Sequence, residues 1–216
     1  MKENYTDITV VLDRSGSMES IKDDTIGGYN KFLKGQKEVK GECTISLYQF
    51  DDKYEPVYEG QNIQHVAELN NETFVPRGWT ALLDAIGRSI NDTGARLAKL
   101  KEEDRPDKVI FVIQTDGAEN QSKEFTREKI FEMIKHQSNN YNWKFLFLGA
   151  NQDAIATATS YGIISNNSIT YAANNIGTHY ALSGVSCNIT NYRSNITMDC
   201  GFTDEDRKRQ DEALNQ

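Results

Sequence analysis

A carboxylate and two hydroxyls follow one another at every second position near the start of the chain. Asp13, Ser15 and Ser17 come directly after the apolar run Ile8–Leu12, which predicts a buried strand ending just before Asp13. A turn at this point can aim the three side-chain oxygens at one spot. Hard oxygen donors without sulfur or imidazole suit Mg²⁺, Mn²⁺ or Ca²⁺. The spacing indicates part of a divalent-metal site, provided that other segments supply further oxygens.

Two further segments carry oxygen-bearing side chains at the ends of predicted elements. The run Lys108–Thr115 is the most hydrophobic predicted strand, and Asp116 follows it directly, with Gly117 allowing a sharp turn. The loop Arg77–Leu82 delivers Thr80 to the start of a predicted helix. The Thr80 hydroxyl can either cap that helix or point at the cleft.

Apolar periodicity predicts alternating strands and helices along the chain. The predicted strands cover 8–12, 44–50, 54–58, 108–115, 143–148 and 168–171, and the predicted helices cover 21–37, 80–97, 125–137, 152–161 and 175–193. This alternation predicts a doubly wound α/β fold, a mostly parallel six-stranded sheet with helices on both faces. Pro56 favours an antiparallel edge position for the strand that contains it. In such sheets, ligands bind at the carboxyl ends of the strands, where Asp13 lies.

Together, the three segments resemble the metal-ion-dependent adhesion site of a von Willebrand factor A (vWA) domain. The matching motifs are Asp13-x-Ser15-x-Ser17, Gly78-x-Thr80-Ala81-Leu82 and Thr115-Asp116-Gly117. The resemblance spans about residues 5–195, and the segments 116–122 and 147–154 are similar to intracellular bacterial and phage-type members. It implies a Rossmann-like vWA domain over residues 1–195, followed by a charged C-terminal tail over 196–216.

The resemblance also implies a role for each oxygen. Ser15, Ser17 and Thr80 would offer hydroxyls to Mg²⁺, or to Mn²⁺ or Ca²⁺, while Asp13 and Asp116 would act directly or through water. An Asp or Glu from a partner protein would displace water from an open coordination position. The implied function is a metal-dependent protein–protein interaction module that is not an enzyme.

Four neighbouring residues are candidates for a supporting or partner-facing role. Trp79 departs from the family pattern, in which many members have Gly before the Thr, and it could narrow the site, contact a partner or simply pack in the loop. Asp84 lies one helical turn after Thr80 and could hydrogen-bond the metal-site loops or remain an exposed helix carboxylate. Glu119 and Asn120 could line the rim of the site or form the turn.

Composition predicts a globular protein without nucleic-acid or membrane partners. The 216 residues are 38% hydrophobic, and the net charge of −8 argues against sequence-independent nucleic-acid binding. We expect no secretory signal and no membrane span, because the apolar runs are too short and none follows Met1. Cys43, Cys187 and Cys200 are an odd number of cysteines without metal-ligand spacing, which predicts free thiols. Free thiols favour a reducing cytoplasm, and this would be the host cytoplasm if the chain is of phage origin.

Two other functions compete with the interaction module. A divalent ion beside Asp13 could serve a phosphate-ester hydrolase. However, the three loops contain no histidine to act as a base, and Ser15 stands where an Asp-x-Asp phosphatase has its second Asp. The other alternative is a structural subunit in which the metal only stabilises the fold. The sequence does not determine the partner or the oligomeric state.

Overall fold

The computed structural model describes residues 1–150 and 153–214 of the chain. The strands are β1 (Lys2–Asp13), β2 (Glu42–Phe50), β3 (Tyr54–Asn62), β4 (Pro106–Thr115), β5 (Lys144–Ala150) and β6 (Ser168–Tyr171). The α-helices are α1 (Lys22–Glu38), α2 (Leu82–Ala98), α3 (Arg127–Tyr141), α4 (Ala154–Ser160), α5 (Asn175–Arg193) and α6 (Asp204–Leu214). Gln152, predicted as the first residue of the fourth helix, lies outside the described residues.

Within the described ranges, six strands form one sheet in the order β3-β2-β1-β4-β5-β6. All neighbouring pairs are parallel except β2 and β3, which are antiparallel. Strand β1 pairs with β2 on one side and with β4 on the other, so the chain direction across the sheet reverses at β1. This is the doubly wound α/β arrangement that the sequence predicts, with Pro56 in the antiparallel edge strand β3.

The sheet has a buried layer on each face because its central strands are apolar on both sides. Val10 and Val112 point into the layer covered by α1 and α5, whereas Val11 and Ile113 point into the layer covered by α2 and α3. Continuous apolar runs of this kind are typical of parallel strands covered on both faces. None of the helices described here combines the length and the apolar character that a membrane span needs.

Strand β1 and helix α2 begin at positions that the sequence did not predict. Strand β1 begins at Lys2, where the parallel pairing with β4 already starts. Helix α2 begins at Leu82 rather than at Thr80, and no side chain at its N-cap position caps it. Instead, Glu119 Oε2 accepts a hydrogen bond from Leu83 N at 2.9 Å. Because another loop supplies the cap, Thr80 does not fill the helix-capping role.

The C-terminal segment packs against the sheet, although its charge run predicts a solvated helix or a frayed end. Phe202 and Ala213 are buried. Gln210 is also buried, and its side chain accepts a hydrogen bond from Ala172 N and donates one to Gly177 O. These contacts attach α6 to the end of β6 and the start of α5. The division of the chain at residue 195 stays a prediction.

Candidate metal centre

Two carboxylates lie at the carboxyl ends of neighbouring central strands. Asp13 is the last residue of β1, and Asp116 directly follows the last residue of β4. The two strands pair in parallel, with Leu12 opposite Gln114, so both carboxylates lie at the same edge of the sheet. This edge is also the point where the strand order reverses, which is where open α/β sheets bind ligands.

The first loop turns over the end of β1 and brings its hydroxyls to the Asp116 carboxylate. Ser15 N donates to Asp13 Oδ1 at 2.6 Å. Ser15 Oγ lies 3.2 Å from Ser17 Oγ, and Ser17 Oγ donates to Asp116 Oδ1 at 2.6 Å. The other Asp13 oxygen accepts a hydrogen bond from Thr115 Oγ1 at 2.6 Å. Four of the five predicted ligands therefore lie in one hydrogen-bonded group.

Thr80 reaches the same place from the second loop. A Cβ atom built on Gly117 would lie 3.8 Å from Thr80 Oγ1 and 3.7 Å from Ser17 Oγ, so both hydroxyls lie beside this glycine. Thr80 N donates to Asn120 Oδ1 at 3.0 Å, and Asn120 N donates to Thr80 O at 3.1 Å. These two hydrogen bonds hold the second loop against the third. All five predicted oxygen-bearing side chains thus gather at one end of the sheet.

Burial makes the charged forms of both carboxylates costly. Asp13 is 0% exposed and Asp116 is 2% exposed. Burial raises the pKa of Asp13 to about 6, hydrogen bonds from Thr115 and Ser15 oppose the rise, and the Asp116 charge adds to it. Burial also raises the pKa of Asp116, against the hydrogen bond from Ser17. A cation held near the two carboxylates would favour their charged forms.

The donor set fits a hard cation. Two carboxylates and three hydroxyls offer oxygen only, which suits Mg²⁺, Mn²⁺ or Ca²⁺ better than a thiophilic metal. Over residues 1–150 and 153–214, no group of three or more His, Cys, Asp or Glu side chains could hold a metal ion. Metal binding at this edge would therefore need the hydroxyls as well as the two carboxylates.

An ion-pair network that the sequence analysis missed holds the first two loops against the β2–β3 hairpin. Arg14 is buried within the first motif and donates to Asp51 Oδ2 at 3.0 Å, while its other end pairs with Glu55 at 2.8 Å. Arg77 pairs with the same two carboxylates, at 2.8 Å each. Asp51 lies in the turn that joins β2 to β3. The available signal was an arginine at the end of a buried strand, which requires a nearby counter-charge.

Gly78 allows the first two loops to approach each other closely. Its φ is +67°, and a Cβ atom there would lie 2.2 Å from Asp52 Oδ1. Its carbonyl oxygen accepts a hydrogen bond from Gly16 N at 3.2 Å, and Arg77 N donates to Arg14 O at 2.8 Å. Glycine suits this position because its φ is positive, and a side chain there would also displace the Asp52 carboxylate.

Asp84 and Glu119 bind the backbone of the third loop. The Asp84 carboxylate accepts hydrogen bonds from the backbone N–H groups of residues 123–125, each at 2.9 Å. Glu119 accepts hydrogen bonds from Leu83 N and from the N–H groups of residues 121–122. The geometry agrees with a loop-binding Asp84 and a turn-forming Glu119. A partner-facing role for either residue stays a prediction.

Trp79 is the large apolar side chain of the second loop that faces solvent. It is 64% exposed, although the residue that follows it, Thr80, is buried. Asn120 is also exposed, but its amide oxygen accepts a hydrogen bond from Thr80 N. The Trp79 ring is therefore not packed within its loop, and a role in contacting a partner stays a prediction.

No family model matches the sequence, and no curated protein matches it either. Solved structures do share the fold. One of them is proximal thread matrix protein 1 from the mussel byssus, in a structure whose MIDAS (metal-ion-dependent adhesion site) motif is occupied by zinc. Its TM-score is 0.59 at 13% identity, and the match covers 86% of this chain and 46% of the mussel chain. This chain therefore spans less than half of the mussel protein.

Two bacterial structures give similar values. The vWF domain of the type V pili tip protein Mfa5 from Porphyromonas gingivalis has a TM-score of 0.59 at 12% identity, over 93% of this chain and 98% of its own. The von Willebrand factor type A structure from Catenulispora acidiphila has a TM-score of 0.55 at 10% identity, over 88% of this chain and 43% of its own. Strand order, helix placement and these neighbours together show that the chain has the Rossmann-like vWA fold.

Proposed function

We propose that the chain is a metal-dependent protein–protein interaction module whose divalent cation is held by Asp13, Ser15, Ser17, Thr80 and Asp116. The observation that carries the proposal is the gathering of these five side chains from three loops at one end of the sheet. The shared fold with a protein whose MIDAS motif holds zinc supports a divalent metal. The oxygen-only donor set favours Mg²⁺, with Mn²⁺ or Ca²⁺ as alternatives.

The residues of the site suit the capture of a carboxylate. A divalent cation bound here would supply a positive centre at the surface of an acidic protein. Ser15, Ser17 and Thr80 are neutral donors, so they leave much of the attraction for a further anion. An Asp or Glu side chain of a partner protein is the anion that fits. Trp79 stands exposed next to this point and offers the partner an apolar contact.

Binding is favoured over catalysis. His65, His136 and His179 all lie outside the three loops, so none of the motifs brings an imidazole base to the site. The neighbours are named as a matrix protein and a pilus tip protein, and neither name describes an enzyme. Both points support an interaction module rather than a hydrolase.

We also propose a reducing cytoplasm, in a bacterium or in the host of a phage, as the setting of the chain. Cys43, Cys187 and Cys200 carry free thiols, which supports such a compartment. Alkylation of the thiols at the moment of cell lysis tests this point. Three alkylated cysteines are expected, and oxidised cysteines would contradict it.

Metal binding can be tested with Asp13→Asn and the exposed control Asp23→Asn. Mg²⁺ should raise the Tm of the wild type and of Asp23→Asn by mass action, and EDTA should reverse the rise. Asp13→Asn should show no such rise. Pull-downs in Mg²⁺ and in EDTA, with the same three proteins as baits, then test partner capture. If Asp13→Asn in EDTA captures the partner as well as the wild type does in Mg²⁺, the proposal is contradicted.

A further inference from the structure

Four buried polar atoms on the side of the sheet covered by α1 and α5 have no hydrogen-bond partner within the described part of the chain. They are Gln114 Nε2, Tyr171 Oη, Thr178 Oγ1 and Thr25 Oγ1. Each of these residues is at most 2% exposed, and they come from four elements, β4, β6, α5 and α1. Buried polar groups without a partner are uncommon in folded proteins, and ordered water is the usual explanation.

Gln114 and Tyr171 lie on the same face of the sheet. Gln114 stands opposite Leu12 of β1 and Leu148 of β5, and Tyr171 stands opposite Ala150 at the end of β5. Leu12, Leu148, Ala150 and Tyr171 all belong to the buried layer under α1 and α5. The small Ala150 side chain leaves room for the Tyr171 ring to extend across β5 towards Gln114.

The two threonines reach this layer from helices that pack against each other. Two contacts lie on either side of them along the helices, Asp24 with Asn175 and Gly28 with Leu182. Gly177, next to Thr178, packs so closely on Ala172 that a Cβ atom on it would lie 2.3 Å from the Ala172 carbonyl oxygen. Thr178 is therefore near the end of β6, where Tyr171 lies, and Thr25 is on the side of α1 that faces α5.

The Tyr171 side chain starts level with the strand ends that carry the candidate metal carboxylates. Tyr171 pairs with Ala150, one position beyond the Thr115–Gly149 pair that directly precedes Asp116. Burial raises the pKa of the Tyr171 phenol, the Gln114 side chain lowers it through a hydrogen-bond contribution, and the charges of Asp116 and Asp13 raise it further. The Gln114 amide therefore lies near the phenol, although the contact between the two does not have hydrogen-bond geometry.

We infer that Tyr171 Oη and Gln114 Nε2 bind ordered water beneath the candidate metal site, and that Tyr171 positions the carboxylates of Asp13 and Asp116 through that water. The hydroxyl of Tyr171 can donate one hydrogen bond and accept another, so it can orient a water molecule towards a carboxylate oxygen. Tyr171 Oη and Gln114 Nε2 give the water two of the two to four polar partners that a buried water needs. The positioning role rests on the proposed metal site, whereas the water site does not.

The water site is tested by Tyr171→Phe in EDTA, where metal plays no part. If the hydroxyl binds water, its removal should lower the Tm by about 2–4 °C. If the layer is dry, removing a hydroxyl without a partner should leave the Tm unchanged or raise it, because the desolvation cost disappears. An unchanged or higher Tm would therefore overturn the water site. Gln114→Met combined with Tyr171→Phe should be non-additive, since the two groups share the same water.

The positioning role is tested by the Mg²⁺ affinity of the same variant, measured by titration calorimetry. Tyr171→Phe should weaken Mg²⁺ binding by about tenfold, as loss of a supporting hydrogen bond does at other metal sites. Tyr48→Phe is the matched control, because the Tyr48 hydroxyl donates to Glu59 at 3.0 Å away from the site. It should lose stability without losing affinity for Mg²⁺.

The outcomes separate this inference from the proposed function. Equal Mg²⁺ affinity of Tyr171→Phe and the wild type would overturn the positioning role while leaving the interaction module intact. A wild type that binds no Mg²⁺ would overturn the proposed function and the positioning role together. The Tm in EDTA would still decide whether water is bound beneath the site.

Discussion

At the scale of single residues, the candidate ligands differ in how much of the fold depends on them. Asp13 is fully buried and holds both Ser15 N and the Thr115 hydroxyl, so it orders the loop as well as offering an oxygen. Ser17 is exposed, and within residues 1–150 and 153–214 its hydroxyl hydrogen-bonds to Ser15 and Asp116, both of which belong to the site. Substitution of Ser17 is therefore the cleaner way to separate metal binding from folding.

Ser17→Ala should weaken Mg²⁺ binding by about tenfold or more while the Tm in EDTA changes little, because one metal-facing hydroxyl is lost from an exposed position. Titration calorimetry with Mg²⁺ and thermal melting in EDTA measure the two effects. Ser20→Ala is the control, since Ser20 follows in the same segment and its hydroxyl donates to the backbone carbonyl of Ser17 rather than to a candidate ligand side chain. Wild-type affinity in Ser17→Ala would remove this residue from the site.

Truncation of the two tryptophans to alanine should change the free energy of unfolding by very different amounts. Trp79 is 64% exposed, so Trp79→Ala should change the free energy of unfolding by less than about 0.5 kcal/mol. Trp143 is buried and stacks on Phe111 with 5.4 Å between the ring centroids. Trp143→Ala should therefore lower the free energy of unfolding by about 3–5 kcal/mol. Urea unfolding measures both. A large stability loss in Trp79→Ala would mean that the ring packs in the protein and is not reserved for a partner.

At the scale of elements, the start of α2 and the third loop hold each other in place. Asp84 binds three backbone N–H groups of the loop, and Glu119 from the loop caps α2. Since Thr80 stands just before α2 and Asp116 just before the loop, this reciprocal bonding fixes two candidate ligands relative to each other. The sequence predicted the ligands but not the contacts that fix them.

Asp84→Ala should lower the free energy of unfolding by about 2–4 kcal/mol, because it leaves three loop N–H groups without their acceptor. Urea denaturation measures the change, and Glu132→Ala, at an exposed ion pair on α3, should have little effect. Equal stability of the two variants would show that the loop does not depend on Asp84.

Gly78→Ala should lower the free energy of unfolding by about 1–3 kcal/mol, since it combines a positive φ with a clash against Asp52. Chemical denaturation again gives the value. Gly27→Ala is the control, because a Cβ atom there meets nothing within 4 Å and φ is helical. That variant should be as stable as the wild type or more stable. Unaltered stability in Gly78→Ala would mean that the two loops can separate at no cost.

At the scale of the whole molecule, the C-terminal segment belongs to the packing of one sheet face. Phe202 joins the layer under α1 and α5, and Gln210 hydrogen-bonds the end of β6 and the first turn of α5. The charge run of this segment predicts a solvated element. That prediction misses the buried contacts, because charge alone does not show which face of a helix is buried.

A chain that ends at residue 195 should have a Tm lower than that of the full chain by about 5 °C or more, because it loses the buried Phe202 and the contacts of Gln210. Differential scanning calorimetry of the two chains in EDTA measures this. Equal melting would instead support residue 195 as the end of the domain.

Local sequence patterns were sufficient to predict the order of elements and the candidate ligands. Apolar runs showed which segments are buried strands, and the position of Asp13 and Asp116 after two of them placed both at strand ends. The helical repeat likewise predicted α1, α2, α3 and α5, because such patterns depend only on residues close together in the chain.

The surroundings of the candidate ligands could not be predicted in this way. The Arg14–Asp51 pair, the loop-binding role of Asp84 and the hydrogen bond from Ala172 N to Gln210 join residues that are distant in sequence. Each contact depends on which strands are neighbours and on how closely two helices or loops approach. Periodicity along one segment reports that the segment is buried, but not against which partner it is buried.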